Sequence, residues 1–515
     1  MSNFVGIDLG TTFSAIAHLN AIGKPEIVPN SDGERITPSI VYFPSDDPGS
    51  AFVGLEAKQA RSLESNRVVA EIKRELGESA TAIELDGKSY SPEAIAAFIL
   101  EKLKKDAIQQ IGEITDAVIT VPAYFEEAHR KATMDAGEIA GLNVRGIVNE
   151  PTAAALFYAT NHEISGKVVV YDLGGGTFDV TVMEVKGKEI DIISSNGDRH
   201  LGGVDFDNSL LDLLDEKYNT QFGVQLVQSE EDRGKYAESV ETLKKTLSRR
   251  DKGSISLAGS AGQHKFEVTR SEFDELISPI IAKSEMLVEM ALDEAGLEPD
   301  KVDKVLLVGG SCRIPFVQSR LKAIFGFAPS LEVNVDECVA LGAAIHAGLR
   351  ATEGTGVAVP AGIAAGLRDI QLTDVCNHSY GTIVVSIDEE TGREHLKNEI
   401  LLGKNTPLPC SRTETYYTIA DGQDALNIRV TQGESDDPEY VKVLFDDDMP
   451  LPPNRPAGRP IEITYTYDAN QRMHCVFKDI ESGKHAEVSL ADSGGRMTAR
   501  KIESHRAALE SFQIE

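Results

Sequence analysis

An apolar, strand-like run leads twice into a turn that combines aspartate, leucine, glycine and threonine. The first copy is Gly6-Ile7-Asp8-Leu9-Gly10-Thr11-Thr12 and the second is Tyr171-Asp172-Leu173-Gly174-Gly175-Gly176-Thr177. Glycine lets backbone N–H groups approach phosphate oxygens, and an aspartate at a strand end can hold Mg²⁺ through its water shell. Two such turns, separated by enough chain for a whole α/β lobe, predict a duplicated unit that closes on one polyphosphate from both sides.

A third glycine turn follows a third apolar run. Val305-Leu306-Leu307-Val308 leads into Gly309-Gly310-Ser311-Cys312-Arg313-Ile314-Pro315, and an amphipathic stretch continues from it. This strand, turn and helix could seat an adenosine. Alternatively, any one of the three turns could serve only to reverse the chain after a strand, but the three together favour a nucleotide site.

The composition indicates a large globular protein with an acidic surface. A length of 515 residues is too great for one hydrophobic core and predicts several domains, and the apolar fraction of 41% allows each domain a core. The formal net charge of −31 disfavours nucleic acids and anionic membranes as partners, because charges of the same sign repel. Phosphate binding must then depend on backbone N–H groups, a few local cations and Mg²⁺.

The first residues, Met1 to Val5, lack a basic region followed by a long apolar stretch, and no later run is long enough to cross a bilayer. We therefore expect a cytoplasmic protein. No Cys-x-x-Cys pair occurs, so the scattered cysteines are interpreted as free thiols. They are Cys312, Cys338, Cys376, Cys410 and Cys475.

The alternation of strands and helices from Met1 to about Ala351 predicts α/β lobes. Within them, one helix is predicted to begin at Ser91-Pro92 and another after Ser271, the second continuing toward Gly296. The predicted domains are a nucleotide-binding domain (1–366) with a frayed end near Glu353-Gly354-Thr355-Gly356, a linker (367–374), a β-sandwich (375–495, closing at Gly494-Gly495) and a short helical tail (496–515). A helix as short as the tail must pack on the sandwich or fray.

Short alternating runs separated by turns predict the strands of the sandwich. These runs are 382–387, 416–419, 426–430, 440–445, 461–467, 473–477 and 486–490.

Several motifs in their order along the chain resemble the seventy-kilodalton heat-shock chaperones, the DnaK-like family, and most closely its short HscC type. Besides the two repeated turns, they are Ile119-Thr120-Val121-Pro122-Ala123-Tyr124-Phe125, Asn149-Glu150-Pro151-Thr152-Ala153-Ala154-Ala155 and His200-Leu201-Gly202-Gly203. The resemblance covers Val5 to about Gly495. It implies an actin-like, two-lobed α/β ATPase domain followed by an all-β sandwich that holds extended apolar peptides, with a short C-terminal helix and no full helical lid.

The resemblance also implies roles for residues at the nucleotide. Lys73, Glu150 and Thr177 match positions around the γ-phosphate, and Asp8 and Asp172 match those around Mg²⁺, which they hold through water. The implied cofactors are ATP or ADP and Mg²⁺, with K⁺ as a further cation. The remaining nucleotide contacts that the resemblance implies are Gly10, Thr11, Thr12, Gly174, Gly175, Gly202, Gly203, Glu241, Lys244, Ser248, Gly309, Gly310, Ser311, Arg313 and Asp336.

Several of these residues, taken singly, also have an interpretation without a functional role. Lys73 could be a solvated helix lysine, and Glu150 could be an acid that interacts with a helix dipole. The spacing of Glu241, Lys244 and Ser248 places them on one helix face, which a solvated face would also do. Arg313 could stack on adenine.

In the sandwich, Tyr416, Leu426 and Ile428 match the family's peptide cleft, and Ile419 and Val385 lie near where a bridge closes over the peptide. Each of these residues could equally be ordinary sandwich core.

The resemblance implies a J-domain co-chaperone and leaves a nucleotide exchange factor open. Three departures bear on these expectations. Gln371 and Thr373 replace leucines in the linker, so its docking should bury less apolar surface. Arg145-Gly146 replaces two basic residues, which points to a specialised J-domain partner. Without a lid, peptide should leave faster.

The sequence leaves two other functions as alternatives. One is a small-molecule kinase of the actin-like fold, but no dedicated motif supplies a base for a substrate hydroxyl. The other is a filament-forming ATPase, which the β-sandwich and linker disfavour.

Overall fold

The computed structural model describes residues 3–78, 81–161, 165–332, 334–352, 360–387, 392–468, 471–490 and 497–515. The stretch 353–356, predicted to be the frayed end of a domain, and Gly494-Gly495, the predicted end of the sandwich, lie outside these residues. Within the described part of the chain, no helix is both long enough and apolar enough to cross a membrane.

The first lobe extends to residue 161. Its strands are β1 (Asn3–Asp8), β2 (Phe13–Leu19), β3 (Pro25–Ile27), β4 (Thr37–Pro38), β5 (Ile40–Tyr42), β6 (Ser50–Val53), β7 (Val68–Ala70), β8 (Ile83–Leu85), β9 (Lys88–Tyr90), β10 (Ile114–Val121) and β11 (Asn143–Asn149). Its α-helices are α1 (Leu55–Ala60), α2 (Pro92–Ile111), α3 (Glu127–Ile139) and α4 (Glu150–Asn161), and 3₁₀ turns occur at Ser65–Arg67 and Ile72–Glu75. The main sheet has the order β11-β10-β1-β2-β3.

The second lobe follows. Its strands are β12 (Ser165–Leu173), β13 (Phe178–Lys186), β14 (Glu189–Asp198), β15 (Lys252–Gly259), β16 (Gly262–Thr269) and β17 (Lys304–Val308). Its α-helices are α5 (Gly203–Phe222), α6 (Glu230–Leu247), α7 (Arg270–Glu294), α8 (Pro315–Phe325) and α9 (Cys338–Thr352), with 3₁₀ turns at Pro299–Lys301 and Gly310–Arg313.

The two lobes repeat one strand arrangement. In the first, β1 forms an antiparallel hairpin with β2 and pairs in parallel with β10. In the second, β12 forms an antiparallel hairpin with β13 and pairs in parallel with β17. Asp8 and Asp172 therefore occupy equivalent places near the ends of β1 and β12. The duplicated α/β unit predicted from the repeated turns is confirmed.

Helices α4 and α9 lie between the two sheets and share one apolar cluster with residues of both. Their close approach requires glycine at position 342, because a Cβ there would lie 1.7 Å from the Ala153 carbonyl oxygen. This contact fixes the first residue of α4, Glu150, between the lobes.

Both predicted helices are present, and only the ends of the second differ from the prediction. Helix α2 begins at Pro92, and the Ser91 hydroxyl accepts from the Ala94 N–H at 3.3 Å. Helix α7 begins at Arg270, before the predicted start after Ser271, because Thr269 and Glu272 form a reciprocal capping box. It ends at Glu294, short of Gly296.

A β-sandwich follows α10 (Ala361–Leu367) and the linker strand β18 (Gln371–Thr373). Its strands are β19 (Tyr380–Ile387), β20 (Glu394–Leu402), β21 (Cys410–Tyr417), β22 (Ala425–Gln432), β23 (Lys442–Pro450), β24 (Pro460–Tyr467), β25 (Met473–Asp479) and β26 (His485–Ser489), with a 3₁₀ turn at Pro438–Tyr440. One sheet has the order β20-β19-β22-β23 and the other β21-β24-β25-β26, with an apolar cluster between them.

Two strand predictions were wrong. The prediction missed β20, whose first residues are polar and exposed because the strand forms one edge of its sheet. The strand predicted at 416–419 is β21, which ends at Tyr417 and contains the polar run Ser411 to Thr415. It pairs along its whole length with β24, so partner strands rather than local apolar content define it.

The linker and the tail contact different lobes. Strand β18 pairs in parallel with β14 of the second lobe, and Leu372 packs against the cluster between the lobes. The tail forms α11 (Ala499–Glu510) and β27 (Gln513–Ile514), and β27 pairs with β6 of the first lobe. The prediction that the tail packs on the sandwich or frays was wrong, because Ile502, Leu509 and Ile514 belong to the core of the first lobe.

Candidate functional site: a nucleotide cleft

A cavity of about 1340 Å³ lies between the lobes. The sequence-predicted residues that line it are Asp8, Gly10, Thr11, Thr12, Lys73, Glu150, Asp172, Gly174, Gly175, Thr177, Gly203, Glu241, Lys244, Ser248, Gly309, Gly310, Ser311, Arg313 and Asp336. Gly202 is not among the lining residues. It lies behind the second turn, where a Cβ would be 2.6 Å from the Gly176 nitrogen. The three glycine turns, which are distant in sequence, therefore meet at one cleft.

The two repeated turns contact each other across the cleft. A Cβ at Gly175 would lie 2.4 Å from Thr12 Oγ1, and a Cβ at Gly176 would lie 2.4 Å from Thr11 Oγ1. Larger residues at either glycine would separate the turns. The turns thus form the base of the cleft, with residues of both lobes lining it.

Lys73 and Glu150 form an ion pair at this base. Lys73 lies on the 3₁₀ turn Ile72–Glu75, and its ammonium group donates to Glu150 Oε1. The side chains are only 4% and 9% exposed. Glu71, which immediately precedes this turn, has a φ of 62°, a left-handed conformation that is uncommon for a non-glycine residue and is found mostly where tertiary structure enforces it.

Three buried aspartates surround the ion pair. Burial, followed by repulsion from Glu150, raises the pKa of Asp8 to about 7 and that of Asp179 to about 8. The same two causes raise the pKa of Asp172 well above its ordinary value. Asp179 accepts from the Tyr124 N–H through Oδ1, but its Oδ2 is buried with no hydrogen-bond partner. The cleft therefore gathers more carboxyl groups than Lys73 alone could balance if all of them were ionised.

This excess charge fits a bound cation. No group of three histidine, cysteine, aspartate or glutamate side chains among the described residues is placed to ligate a metal directly. Asp8 and Asp172 could instead hold Mg²⁺ through water, with phosphate oxygens completing its shell. A cation beside them would lower the pKa values that burial raises.

At the other end of the cleft, Arg313 and Asp336 form a two-point ion pair, with N–O distances of 2.9 and 2.7 Å. This pairing holds the guanidinium plane in one orientation. The preceding turn requires glycine at position 309, whose φ is 81° and where a Cβ would lie 2.3 Å from the Leu173 carbonyl oxygen. The Ser311 hydroxyl donates to the Gly174 carbonyl at 2.8 Å, so the third turn is fixed to the second.

Helix α6 presents the other predicted adenosine residues. Lys244 donates to Asp207 at 2.6 Å and to the Gly203 carbonyl at 2.9 Å. The Ser248 hydroxyl donates to the Lys244 carbonyl at 3.0 Å. Burial alone would raise the pKa of Glu241, but Lys58 and Lys245 lower it to about 2. Glu241 is therefore an anion held by two cations.

Four residues with charged contacts at or beside the cleft were not predicted from the sequence. Lys58 of α1 donates to Glu241 at 2.6 Å and so joins the two lobes, and Asp207 pairs with Lys244. Arg74 donates to the Gly176 carbonyl at 2.7 Å and to Asp205 at 2.6 Å, a second bridge between lobes. Asp179 lies two residues after the second repeated turn, and only this position signalled it, because the partners of the other three residues are remote in sequence.

The structure distributes the predicted peptide-cleft residues over different environments. Ile428 is 2% exposed and belongs to the sandwich core, against which Tyr416 and Leu426 pack as partly buried residues. Ile419 is 63% exposed and Val385 is 37% exposed. The first three are thus grouped at one core, and the last two lie at the surface.

A hydrogen-bonded chain joins the sandwich and linker to the cleft. Arg130, which is 2% exposed, donates to Gln471 of the sandwich and to Asn149 Oδ1 at 2.7 Å. The Gln471 amide donates to Asp374 of the linker at 2.7 Å. Because Asn149 immediately precedes Glu150, the chain ends beside the buried ion pair.

Further polar contacts hold the sandwich against the second lobe. Lys404 donates to Glu294 at 2.7 Å, and Asn405 donates to the same carboxylate at 2.9 Å. The sandwich also contacts the first lobe, where Lys442 pairs with Glu126 at 2.7 Å. Both lobes therefore touch the sandwich.

A duplicated α/β clamp around a glycine-lined anionic cleft, joined by a linker strand to a β-sandwich, defines a nucleotide-dependent two-domain protein. The family model described as Hsp70 protein matches residues 4–515. The chain belongs to the Hsp70 family. Members of this family are ATP-dependent chaperones and ATPases that use ATP or ADP with Mg²⁺, and in general they bind client peptides, J-domain proteins and nucleotide exchange factors.

Proposed function

We propose that this chain binds and hydrolyses ATP in the cleft between its lobes, and that the bound nucleotide controls how fast the β-sandwich exchanges extended apolar peptides. The observation that carries the proposal is the buried ion pair of Lys73 and Glu150 at the point where the two glycine turns meet. A buried pair of this kind is retained at a substantial desolvation cost. Catalysis of phosphoryl transfer provides a reason for that cost.

In this proposal, the backbone of Gly175 and the hydroxyls of Thr11, Thr12 and Thr177 bind the phosphates. Gly10 and Gly174, whose N–H groups donate to the Ser14 hydroxyl and the Thr177 carbonyl, let the turns approach the phosphates closely. Gly202 supports the second turn from behind, and Gly203 begins α5, whose first N–H groups donate to the Gly174 and Gly175 carbonyls and so hold the helix against that turn. Asp8 and Asp172 hold Mg²⁺ through water. When bound, Mg²⁺ neutralises charge on the β- and γ-phosphates.

Hydrolysis breaks the bond between the γ-phosphorus and the bridging oxygen of ADP as a water oxygen forms a new bond to that phosphorus. The Lys73 ammonium stabilises the charge that develops on the transferring phosphoryl group. The Glu150 carboxylate accepts a hydrogen bond from the attacking water and orients it. ADP and inorganic phosphate are the products.

For the adenosine, the guanidinium plane of Arg313, held by Asp336, offers a stacking surface for the adenine ring. Glu241, Lys244 and Ser248 on α6 face the sugar and base from the other side, and Gly310 and Ser311 keep the third turn close. K⁺ is proposed as a further cation in the cleft, beside the buried aspartates.

For the peptide, we assign the cleft to the region where Tyr416, Leu426 and Ile428 meet the sandwich core, with Ile419 and Val385 at its rim. An extended peptide can pair its backbone with a strand edge and bury alternate side chains in such a pocket. The two exposed residues, Ile419 and Val385, supply apolar surface that a peptide would cover.

We further propose the division into domains 1–366, 367–374, 375–495 and 496–515, placement within the HscC type and a cytoplasmic location. A J-domain co-chaperone is proposed as a partner, together with an exchange factor. Arg145, at the expected J-domain groove, pairs with Asp116 at 2.7 Å, so a partner would have to compete for this guanidinium.

The decisive experiment follows release of a fluorescent apolar heptapeptide from the purified chain by anisotropy. Addition of ATP should accelerate release, and Lys73→Ala should retain this acceleration while losing the later slowing that hydrolysis produces. A release rate that is indifferent to ATP, ADP and their absence would refute the coupling. Incubation with ATP and a panel of sugars tests the kinase alternative, and phosphorylated sugar would reject the chaperone proposal.

A further inference from the structure

Two of the five free cysteines lie side by side at the junction of the linker and the sandwich. The Sγ atoms of Cys376 and Cys410 are 3.8 Å apart, although 34 positions separate the two residues in sequence. Cys376 lies two residues beyond Asp374 of the linker, and Cys410 is the first residue of β21. The two thiols therefore meet between the end of the linker and a strand of the sandwich.

Backbone hydrogen bonds hold the two cysteines near each other. The Cys376 N–H donates to the Thr406 carbonyl at 2.9 Å, and the Cys376 carbonyl accepts from the Asn405 N–H at 2.7 Å. The Leu408 N–H donates to the Asp374 carbonyl at 2.8 Å. The end of the linker is thus paired with the segment that leads into β21, so the main chain itself sets the proximity of the sulfurs.

The sulfurs are close enough to bond after small side-chain rotations. Sulfurs joined in a disulfide lie about 2.05 Å apart, so these two must approach each other by about 1.8 Å. A rotation of roughly 30° about each Cα–Cβ bond moves each sulfur by about half of this distance. The backbone pairing described above can therefore persist when the bond forms.

The two thiols differ in exposure and in acidity. Cys376 is completely buried, whereas Cys410 is half-buried on β21, an edge strand of its sheet. Hydrogen bonds from the Cys376 thiol and from the Tyr467 backbone lower the pKa of Cys410, and the contact with Cys410 together with burial raises the pKa of Cys376. The thiolate is the nucleophile in thiol–disulfide exchange, so Cys410 is the thiol that reacts first with a reagent from solvent.

We propose that Cys376 and Cys410 form an oxidisable dithiol site, which a low-molecular-weight disulfide of the glutathione type converts into an intrachain disulfide that fastens the end of the linker to β21. The Cys410 thiolate attacks one sulfur of the reagent, the S–S bond of the reagent breaks, and one reagent thiolate leaves. The Cys376 sulfur, after losing its proton to solvent, attacks Cys410 Sγ and displaces the second reagent thiolate. Two cysteine thiols are oxidised, the reagent is reduced to two thiols, and these take up the two protons.

The disulfide alters the linker–sandwich junction, and neither cysteine lines the nucleotide cleft. In the reduced chain, residues 374–376 separate from 405–408 when a few backbone hydrogen bonds break. In the oxidised chain, a covalent bond opposes this separation. Thiols are kept reduced in the cytoplasm, the location proposed above, and disulfides that form there are usually transient or redox-sensing. The reaction needs neither ATP nor peptide, so its test is independent of the proposed function.

The first test incubates the native full chain with mixtures of reduced and oxidised glutathione and counts its thiols. The number should fall from five to three per chain, because two of the five sulfurs pair, and non-reducing peptide mapping by mass spectrometry should find Cys376 linked to Cys410. Cys475→Ala, which removes a buried thiol from the core of the same sandwich, should form the same disulfide. Five thiols that persist in the most oxidising mixture would overturn the proposal, as would a bond from Cys410 to another cysteine or to a second chain.

Single variants test the order of attack. In the same mixtures, Cys376→Ser should accumulate one glutathione per chain on Cys410, because the thiol that displaces it is absent. Cys410→Ser should leave the buried Cys376 unmodified. Glutathione on Cys376 in the second variant, or none on Cys410 in the first, would refute the assigned roles.

Hydrogen exchange tests the effect on the junction. The amides of Cys376 and Leu408 should exchange at least about tenfold more slowly in the oxidised chain than in the reduced chain, because the crosslink opposes local opening. The amide of Asp303, which donates to the Lys167 carbonyl in the second lobe at 2.8 Å, should exchange equally in both. Cys410→Ser in the same glutathione mixtures is the control and should show no slowing. Equal exchange of Cys376 and Leu408 in the two redox states would refute the fastening of the linker to β21.

Discussion

Lys73 and Glu150 form an ion pair whose side chains are 4% and 9% exposed, although 77 residues separate them in sequence. The 3₁₀ turn Ile72–Glu75 carries the lysine, and the first residue of α4 carries the glutamate. Neither charge has much access to water, so each depends on the other. The pair also lies beside Asp8 and Asp172, whose pKa values are raised by burial and by the Glu150 charge.

Replacement of the cation tests the proposed chemistry. Lys73→Ala should lower the steady-state rate of phosphate release from ATP by about 10²–10³-fold, because it removes a preorganised charge from the site of phosphoryl transfer. Calorimetry should find ATP affinity largely retained, since the turns and the adenosine residues are unaltered. Lys105→Ala, at an exposed site on α2, is the control. Normal turnover in the Lys73 variant would show that this lysine has no catalytic role.

Asp179 should make stability depend on pH. Its folded pKa of about 8 lies above the ordinary value of 3.8, so the folded state binds more protons than the unfolded state between these values. This group therefore lowers the free energy of unfolding as pH rises from about 4 to about 8. Asp179→Asn, which cannot ionise, should gain about 1–3 kcal/mol relative to the unchanged chain at pH 9 and much less at pH 5.

Urea denaturation at the two pH values, without nucleotide or Mg²⁺, measures this gain. The difference between variant and unchanged chain isolates Asp179 from Asp8, whose pKa is also raised. Asp32→Asn at an exposed position should give no pH-dependent difference. A constant difference at pH 5 and pH 9 would mean that Asp179 is not protonated in the folded protein.

The ion pair of Lys58 and Glu241 should slow the escape of nucleotide. It joins α1 of the first lobe to α6 of the second at 2.6 Å, beside the cleft. Lys58→Met should accelerate release of a fluorescent ADP analogue by about threefold to tenfold in stopped-flow measurements, a modest effect because the pair is partly exposed. Lys235→Met, at an exposed position of α6, is the control. An unchanged release rate in the Lys58→Met variant would exclude a role for this bridge.

Glu294 should hold the sandwich against the second lobe. It accepts from Lys404 at 2.7 Å and from Asn405 at 2.9 Å. Glu294→Lys places like charges together and should increase the radius of gyration in small-angle scattering, while the added change Lys404→Glu should reverse the increase. Glu289→Lys, on the exposed side of the same helix, is the matched control. An unchanged scattering profile in the single variant would indicate that other contacts suffice.

Substitution of two isoleucines distinguishes a loss of peptide binding from a loss of core packing. Ile428→Ala should destabilise the sandwich by about 2–5 kcal/mol, because Ile428 is 2% exposed in its core. Ile419→Ser, at a residue that is 63% exposed, should leave the denaturation midpoint unchanged and weaken peptide binding in anisotropy titrations. Exposed Ile22→Ser in the first lobe should affect neither. Unchanged peptide affinity in the Ile419 variant would place the peptide elsewhere.

Local patterns predicted those elements whose stability is mostly local. Helix α2 could be placed because its serine cap, its first-turn proline and its apolar spacing occur within one segment. Strand β24 could be placed because its residues alternate between buried and half-buried positions. Strand β20 escaped prediction because its first residues are held by pairing with β19, which no property of its own sequence reveals.

For the cysteines and the cleft too, local sequence revealed some features and only tertiary contacts revealed others. All five cysteines are free, as predicted, yet Cys376 and Cys410 lie with their sulfurs 3.8 Å apart, a proximity that spacing did not suggest. All the predicted nucleotide contacts except Gly202 line the cleft. Lys58 and Arg74 were missed because their partners, Glu241 and Asp205, belong to the other lobe.

The sequence by itself determined the repeated aspartate-glycine turns, the duplicated α/β unit and the sandwich that follows, because glycine conformation, strand alternation and helix caps act within a few residues. Only the tertiary structure decided that the turns touch, that Lys73 lies buried against Glu150, and that the tail joins the first lobe rather than the sandwich. The physical reason is that burial, charge pairing and strand addition are properties of surfaces brought together by the whole chain. The segment from Phe512 to Glu515 has no surface to pair with until β6 and the core of the first lobe have folded.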